Sequence, residues 1–161
     1  MRASLRVVLD TNILVRGLIN DQSVSGRILA ACESRQLIPV LSLPVLVEYR
    51  NILADPQLVA RYPQLNEHRV KTVLERLTYV GDVVRRVPRR FLLPRDPKDS
   101  KLIELAIAAR ATHLITTDSD LLDLATGRDD AARRFRQRLP SMLVTPPLDF
   151  WNQYFPHAGE I

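Results

Sequence analysis

Short β-branched runs alternate along this chain with longer segments whose apolar residues recur every three or four positions. Leu5 to Leu9, with Val7 and Val8 inside it, reads as a buried parallel strand that stops at Asp10. Ile13 to Ile19 and Ser25 to Gln36 read as helices, the second with Ile28, Leu29, Ala31 and Cys32 along one side. A second strand is predicted at Leu37 to Leu41. It is followed by a helix over Leu43 to Leu53, where Pro44 is acceptable because the first turn does not need its N–H. Asp55 to Asn66 carries two prolines and little periodicity, so it reads as a loop or a short helical insertion. Glu67 to Tyr79 resumes a helix with Val70, Val73, Leu74 and Leu77 on one face, and Gly81 ends it. Asp82 to Val87 is a third strand candidate, and Pro88 to Pro94 a basic connection. A helix from about Pro97 to Arg110, a strand at His113 to Thr117, a short helix near Leu121 to Ala125, a strand at Met142 to Thr145 and a C-terminal tail complete the pattern.

Strands that alternate with helices pair in parallel through right-handed crossovers. The expected fold class is therefore α/β, a three-layer α/β/α sandwich around a central, mainly parallel sheet of about five strands. The chain has 161 residues, enough for one sizeable core and too few for two ordinary domains, so residues 1–161 are expected to form a single domain. Sheets of this kind bind ligands just beyond the carboxyl ends of their strands, which singles out Asp10 and Asp118.

Composition narrows the class. No apolar run approaches the roughly 20 residues that cross a bilayer, and the N-terminus lacks the uncharged core of a secretory signal. A cytoplasmic protein with no membrane partner is expected. Cys32 is the sole cysteine, which excludes an intrachain disulfide and a zinc site built from several thiolates, and its apolar neighbours make it a packing residue. The formal net charge of +5 favours an anionic partner, yet acidic residues recur at the ends of the apolar segments.

Those acids are the candidates for chemistry. Asp10 follows its strand in VVLDTNILV, where Asp10 or Asn12 could equally cap the next helix. Glu48 sits in LPVLVEYRNIL with Val45 and Ile52 on the same side of a helix; such a carboxylate needs a salt bridge or a metal ion to compensate its desolvation. In RDPKDSKLIELAIAAR, Asp96 fits a helix cap, Pro97 the first helical position and Asp99 the third, a pattern that explains both acids without a site. In HLITTDSDLLDL a strand ends at Asp118 and Asp120, either of which could cap the helix that follows. Gathering several acids at one sheet edge is repulsive, and a hard divalent cation bound through oxygen is the usual reason for it.

DTN after the first strand, Glu48 in a helix, DPKDSKLIELAIAARA and TTDSDLL, in that order over Val7 to Leu124, resemble the PIN-domain family; Pro146 and Pro147 after the last strand add to the likeness. Within the family the chain is most similar to the branch described as toxins of toxin-antitoxin pairs. The resemblance implies a metal-dependent endoribonuclease that hydrolyses RNA phosphodiesters, with Asp10, Glu48, Asp99 and Asp118 as its acidic quartet. Asp120 matches a frequent extra acid that would join them around Mg2+ or Mn2+, and Asn12 and Thr116 match accessory polar positions. Thr117 stands where the family often has glycine or a charged residue. An antitoxin partner and a homo-oligomer are implied in the same way.

Other readings remain beside this one. An aspartyl phosphatase wants a second acid two residues after its nucleophile, and Asn12 stands there instead. A catalytically silent domain of the same fold, binding RNA or a protein, would be expected to have lost one of the four acids. His68, His113 and His157 form no spacing suited to a zinc protease or a paired-histidine ribonuclease. The run RDDAARRFRQR brings Arg128, Arg133, Arg134, Arg136 and Arg138 together; Arg133, Arg134 and Arg136 could contact an RNA backbone, or the run could be a solvated helix face. Arg85, Arg86, Arg89 and Arg90 pose the same choice. Trp151, Tyr154 and Phe155 either stack on bases or pin the terminus to the core or to another subunit.

Overall fold

The computed structural model describes residues 4–87 and 100–156. At its centre lies β1 (Arg6–Leu9), an apolar strand buried at Val7, Val8 and Leu9. It pairs in parallel with β2 (Ile38–Ser42) on one side and β4 (His113–Ile115) on the other. β3 (Asp82–Val84) extends the sheet beyond β2, and β5 (Leu143–Thr145) extends it beyond β4, giving the order β3-β2-β1-β4-β5 with every pairing parallel. The chain thus builds outward from the middle to one edge and then returns to build the other. The reversal falls between β1 and β4, the place where open parallel sheets leave a crevice at their carboxyl ends.

Helices cover both faces, as the expected three-layer α/β/α sandwich requires. α1 (Thr11–Ile19) and α2 (Val24–Glu33) join β1 to β2; α3 (Leu43–Leu53), α4 (Pro56–Arg61) and α5 (Glu67–Val80) join β2 to β3. α6 (Ser100–Ala109) precedes β4 and lies across β1, β2, β3 and β4. α7 (Ser119–Thr126) and α8 (Asp130–Arg138) join β4 to β5, and α9 (Pro147–Tyr154) returns to pack on α2. Side chains announce several helix starts: Ser23, Asn66 and Asp129 each accept a hydrogen bond from an amide in the first turn, worth about 1 kcal/mol apiece. α1 and α2 meet closely at Gly17, where a Cβ would come within 2.4 Å of the Leu29 side chain. One continuous cluster of buried residues runs from Val7, Val8 and Ile13 through Ile28, Leu41 and Tyr49 to Ile103, Leu114 and Phe150.

The structure refines the expectations in identifiable places. Asp55 to Asn66 holds the two-turn helix α4, started by Asp55 accepting from the amides of Gln57 and Leu58. The C-terminal tail contains the helix α9, with Pro147 in its first turn. Strand β4 ends at Ile115, so Thr116, and not Asp118, follows it directly. Pro88 to Pro94, Asp96, Pro97 and Asp99 lie outside the described residues. Among the described residues no helix is long and apolar enough to cross a membrane.

The amino end of the sheet is closed by polar groups that satisfy one another. Arg6 donates to the Ala109 carbonyl at 3.0 Å and to the Asp82 carboxylate at 2.6 Å. The buried His113 ring lies 2.8 Å from the Thr112 hydroxyl on one side and 2.8 Å from the Tyr154 phenol on the other, edge-on to the rings of Phe150 and Tyr154. Burial holds this imidazole below its ordinary pKa, which favours the neutral ring. His113 is therefore a structural residue that anchors α9. Cys32 is buried too, and burial pushes its thiol up to about 12, as fits an inert packing residue.

Candidate active site

At the carboxyl end of the same strands the polar groups are arranged differently. Asp10 immediately follows β1, is only 6% exposed, and stands where a cap of α1 would stand. Its side chain makes no full capping hydrogen bond, although the first-turn amides of Thr11 and Asn12 favour its charge. It instead accepts a 2.6 Å hydrogen bond from the fully buried Thr116 hydroxyl, at the end of β4. The same hydroxyl accepts from the Asp118 amide at 2.9 Å. One threonine thus ties the ends of β1 and β4 together across the crevice between them.

Burial raises the pKa of the Asp10 carboxyl, and the neighbouring Asp118 charge pushes it the same way; the Thr116 hydroxyl and the amides of Thr11 and Asn12 pull against them. Among the described residues no lysine or arginine forms an ion pair with Asp10. A buried acid facing a second acid is electrostatically unfavourable as it stands, and a bound cation would relieve it.

Asp118 has a structural duty as well. It is the cap of α7, accepting from the Asp120 amide at 2.8 Å, so the helix-cap alternative holds for one of its oxygens. Asp120 sits half-buried in the first turn of α7, and Asn12 is exposed in the first turn of α1. Glu48 is half-buried on α3. The buried stripe of that helix is Val45, Tyr49 and Leu53, whereas Ile52 is 43% exposed, so Glu48 flanks the apolar face instead of lying along it. Asp99 is outside the described residues, which resume at the buried Ser100 of α6. Among the described residues no three His, Cys, Asp or Glu side chains are grouped closely enough to hold a metal ion together. The structure accordingly brings Asp10, Thr116 and Asp118 together, with the Asp120 amide bonded to Asp118, and among the described residues closes no three-acid group with either Asp120 or Glu48.

The remaining candidates sort by exposure. Arg133 and Arg134 project from α8 into solvent, while Arg136 is half-buried and donates to the Leu124 carbonyl of α7 at 3.2 Å. Arg85 and Arg86 are exposed just beyond β3, and His68 is exposed on α5. Trp151 stacks on Phe155 with ring centroids 4.3 Å apart, and Tyr154 is engaged with His113.

The PIN-domain family model matches residues 6–120, well over half of the chain. The chain is a PIN-domain protein. The uncharacterised protein MJ1680 of Methanocaldococcus jannaschii is 30% identical to it over 123 residues, covering 76% of this chain and 77% of that protein. The matched region runs from β1 to the first turn of α7 and so includes Asp10, Glu48, Thr116, Asp118 and Asp120. The PIN domain has a nuclease-like fold whose members are typically metal-dependent ribonucleases.

A residue that sequence reasoning did not single out completes the region. Tyr49 is buried on α3 beside Glu48, and its phenol donates a short hydrogen bond to the carbonyl of Leu9, the residue before Asp10. Its position in an apolar stripe signals packing and gives no hint of that bond, because the acceptor is a main-chain atom far away in sequence.

Proposed function

We propose that this protein is a metal-dependent endoribonuclease in which Asp10, Glu48, Asp99 and Asp118, with Asp120, provide oxygen ligands for Mg2+ or Mn2+. The observation that carries this reading is Asp10: a carboxylate buried at the sheet's reversal point, oriented by Thr116 and coupled to Asp118 with no basic ion-pair partner among the described residues. Oxygen donors of this kind suit a hard cation that keeps several waters. When bound, such an ion supplies a water of lowered pKa and neutralises charge on the leaving oxygen of a phosphodiester.

The chain's own residues have separable duties. Thr116 fixes one oxygen of Asp10 and the amide of Asp118, which holds the two acids in register across the crevice. Asp118 keeps its carboxylate at the start of α7 through the Asp120 amide. Asn12, exposed in the next turn after Asp10, is available to a phosphate oxygen. Arg133 and Arg134 are exposed and able to meet the RNA backbone, whereas the bond from Arg136 to Leu124 gives that residue a structural task first. A toxin role with an antitoxin partner, in the cytoplasm, is the finer form of this proposal and rests on the sequence resemblance.

RNA cleavage by the purified protein with Mg2+ or Mn2+, compared with excess EDTA, tests the proposal. Cleavage is expected with either ion and is expected to be lost with the chelator. Equal cleavage in EDTA, or none with either ion, would overturn it.

A further inference from the structure

We propose that Tyr49 is a positioning residue, whose hydroxyl holds the helix turn carrying Glu48 at a fixed distance from the strand end carrying Asp10. The inference rests on the carboxylate-site reading above. Packing alone asks only for a ring here: Tyr49 is 1% exposed, in line with Val45 and Leu53 on the buried stripe of α3, and phenylalanine would fill that space. Burying a hydroxyl is unfavourable unless it finds a partner. The partner it finds is the Leu9 carbonyl, at the peptide that links Leu9 to Asp10. Glu48 is the adjacent residue on the helix, so one hydrogen bond couples the backbone of one acid to the backbone of the other. The phenol is deeply buried, which keeps it protonated and able to donate to the Leu9 carbonyl.

The other contacts of α3 constrain it in different ways. Ser42 at its start accepts from the Val45 amide within the helix, which fixes where the helix begins but not where it sits along β1. Apolar contacts resist separation of the helix from the sheet and resist sliding much less, because they have no direction. The Tyr49 bond adds a directional restraint between α3 and the end of β1. Oxygen ligands of a small cation tolerate little displacement, so a shift of α3 by a fraction of an ångström acts on binding of the ion before it acts on the fold.

The test is a double-mutant cycle read by Mn2+ binding to metal-free protein, followed calorimetrically, with thermal melting alongside. Tyr49→Phe keeps the ring, and its Mn2+ affinity is expected to fall on the order of 10-fold while the protein remains folded at the assay temperature. In a Glu48→Gln background the same change is expected to cause no further loss, because the acid it positions is gone. Replacing Tyr49 by 4-aminophenylalanine, which restores a donor at the same place, is expected to recover most of the affinity. Unchanged Mn2+ binding in Tyr49→Phe, an equal loss in both backgrounds, or no recovery with the amino analogue would overturn the proposal while leaving the carboxylate site intact. A wild-type protein that neither binds Mn2+ nor cleaves RNA would overturn the site itself, and the role of Tyr49 with it.

Discussion

The two ends of β1 and β4 partner their polar side chains in opposite ways. At the amino end Arg6 is matched by Asp82 and a carbonyl, and His113 by Thr112 and Tyr154. At the carboxyl end Asp10 has the Thr116 hydroxyl and the nearby Thr11 and Asn12 amides, with a second acid, Asp118, for a neighbour. Both sets belong to the same sheet and are spanned by strands of three or four residues. The contrast separates polar residues matched by opposite charge or neutral hydrogen-bonding groups from a buried acid whose neighbour is another acid. Satisfied hydrogen bonds rigidify the amino end; at the carboxyl end the buried Asp10 charge, which has no ion pair among the described residues, costs stability that binding of a cation would offset.

The contrast predicts different outcomes for substitutions at the two ends. The largest effect belongs to Asp118→Asn. Asparagine caps a helix as well as aspartate does, so α7 keeps its start and the melting temperature changes little. Metal-dependent RNA cleavage is expected to fall by about 100-fold or more, since even partners outside the ligand shell are worth roughly 10–100-fold. Near-normal cleavage at normal stability would reduce Asp118 to its capping role.

At the amino end the order of effects is reversed. Tyr154→Phe removes one partner of the buried His113 and is expected to cost about 1–3 kcal/mol of stability, with cleavage per folded molecule unchanged. A matching loss of specific activity would mean that the two ends are not independent. The imidazole adds a pH signature. Its pKa in the folded state lies below the ordinary 6.5, so as pH falls below that value the unfolded chain takes up a proton that the folded protein resists. Stability contributed by the neutral ring is present above pH 6.5 and is lost as pH falls from there toward the folded pKa. Unfolding free energies measured across that window are expected to decline less for His113→Gln than for the wild type, and equal slopes would refute the assignment.

Much of this is legible in the sequence, for reasons that differ by element. β1 and β2 are short apolar runs ended by a polar residue, and α3 and α5 carry clear stripes, so their order implies the parallel sheet. α9 is not legible as a helix because Trp151, Tyr154 and Phe155 read as terminal anchors; Pro147 in its first turn is the available signal. α8 hides its buried face in Ala131, Ala132 and Phe135 amid arginines, where small side chains give a weak pattern. At the site, Asp10 is readable because it ends a strand. Thr116 is readable only through the family likeness, since nothing local says that its hydroxyl bridges two strand ends. The pattern puts Glu48 one step too far into the apolar stripe because Ile52, an apolar residue, faces solvent. Tyr49 escapes notice because its bond depends on tertiary placement.

The central claim is that the charge at the carboxyl end of the sheet is held for a cation, and thermal melting of the wild type and Asp10→Asn with and without Mg2+ tests it most directly. Without metal, Asp10→Asn is expected to melt at the same temperature as the wild type or higher, because a buried charge facing Asp118 is removed. With Mg2+ in excess the wild type is expected to rise by several degrees, roughly the shift that 1–2 kcal/mol of linked binding gives a protein of this size, and the variant to rise much less. A variant that melts well below the wild type without metal, or gains as much from Mg2+, would contradict the account and return Asp10 to an ordinary structural role.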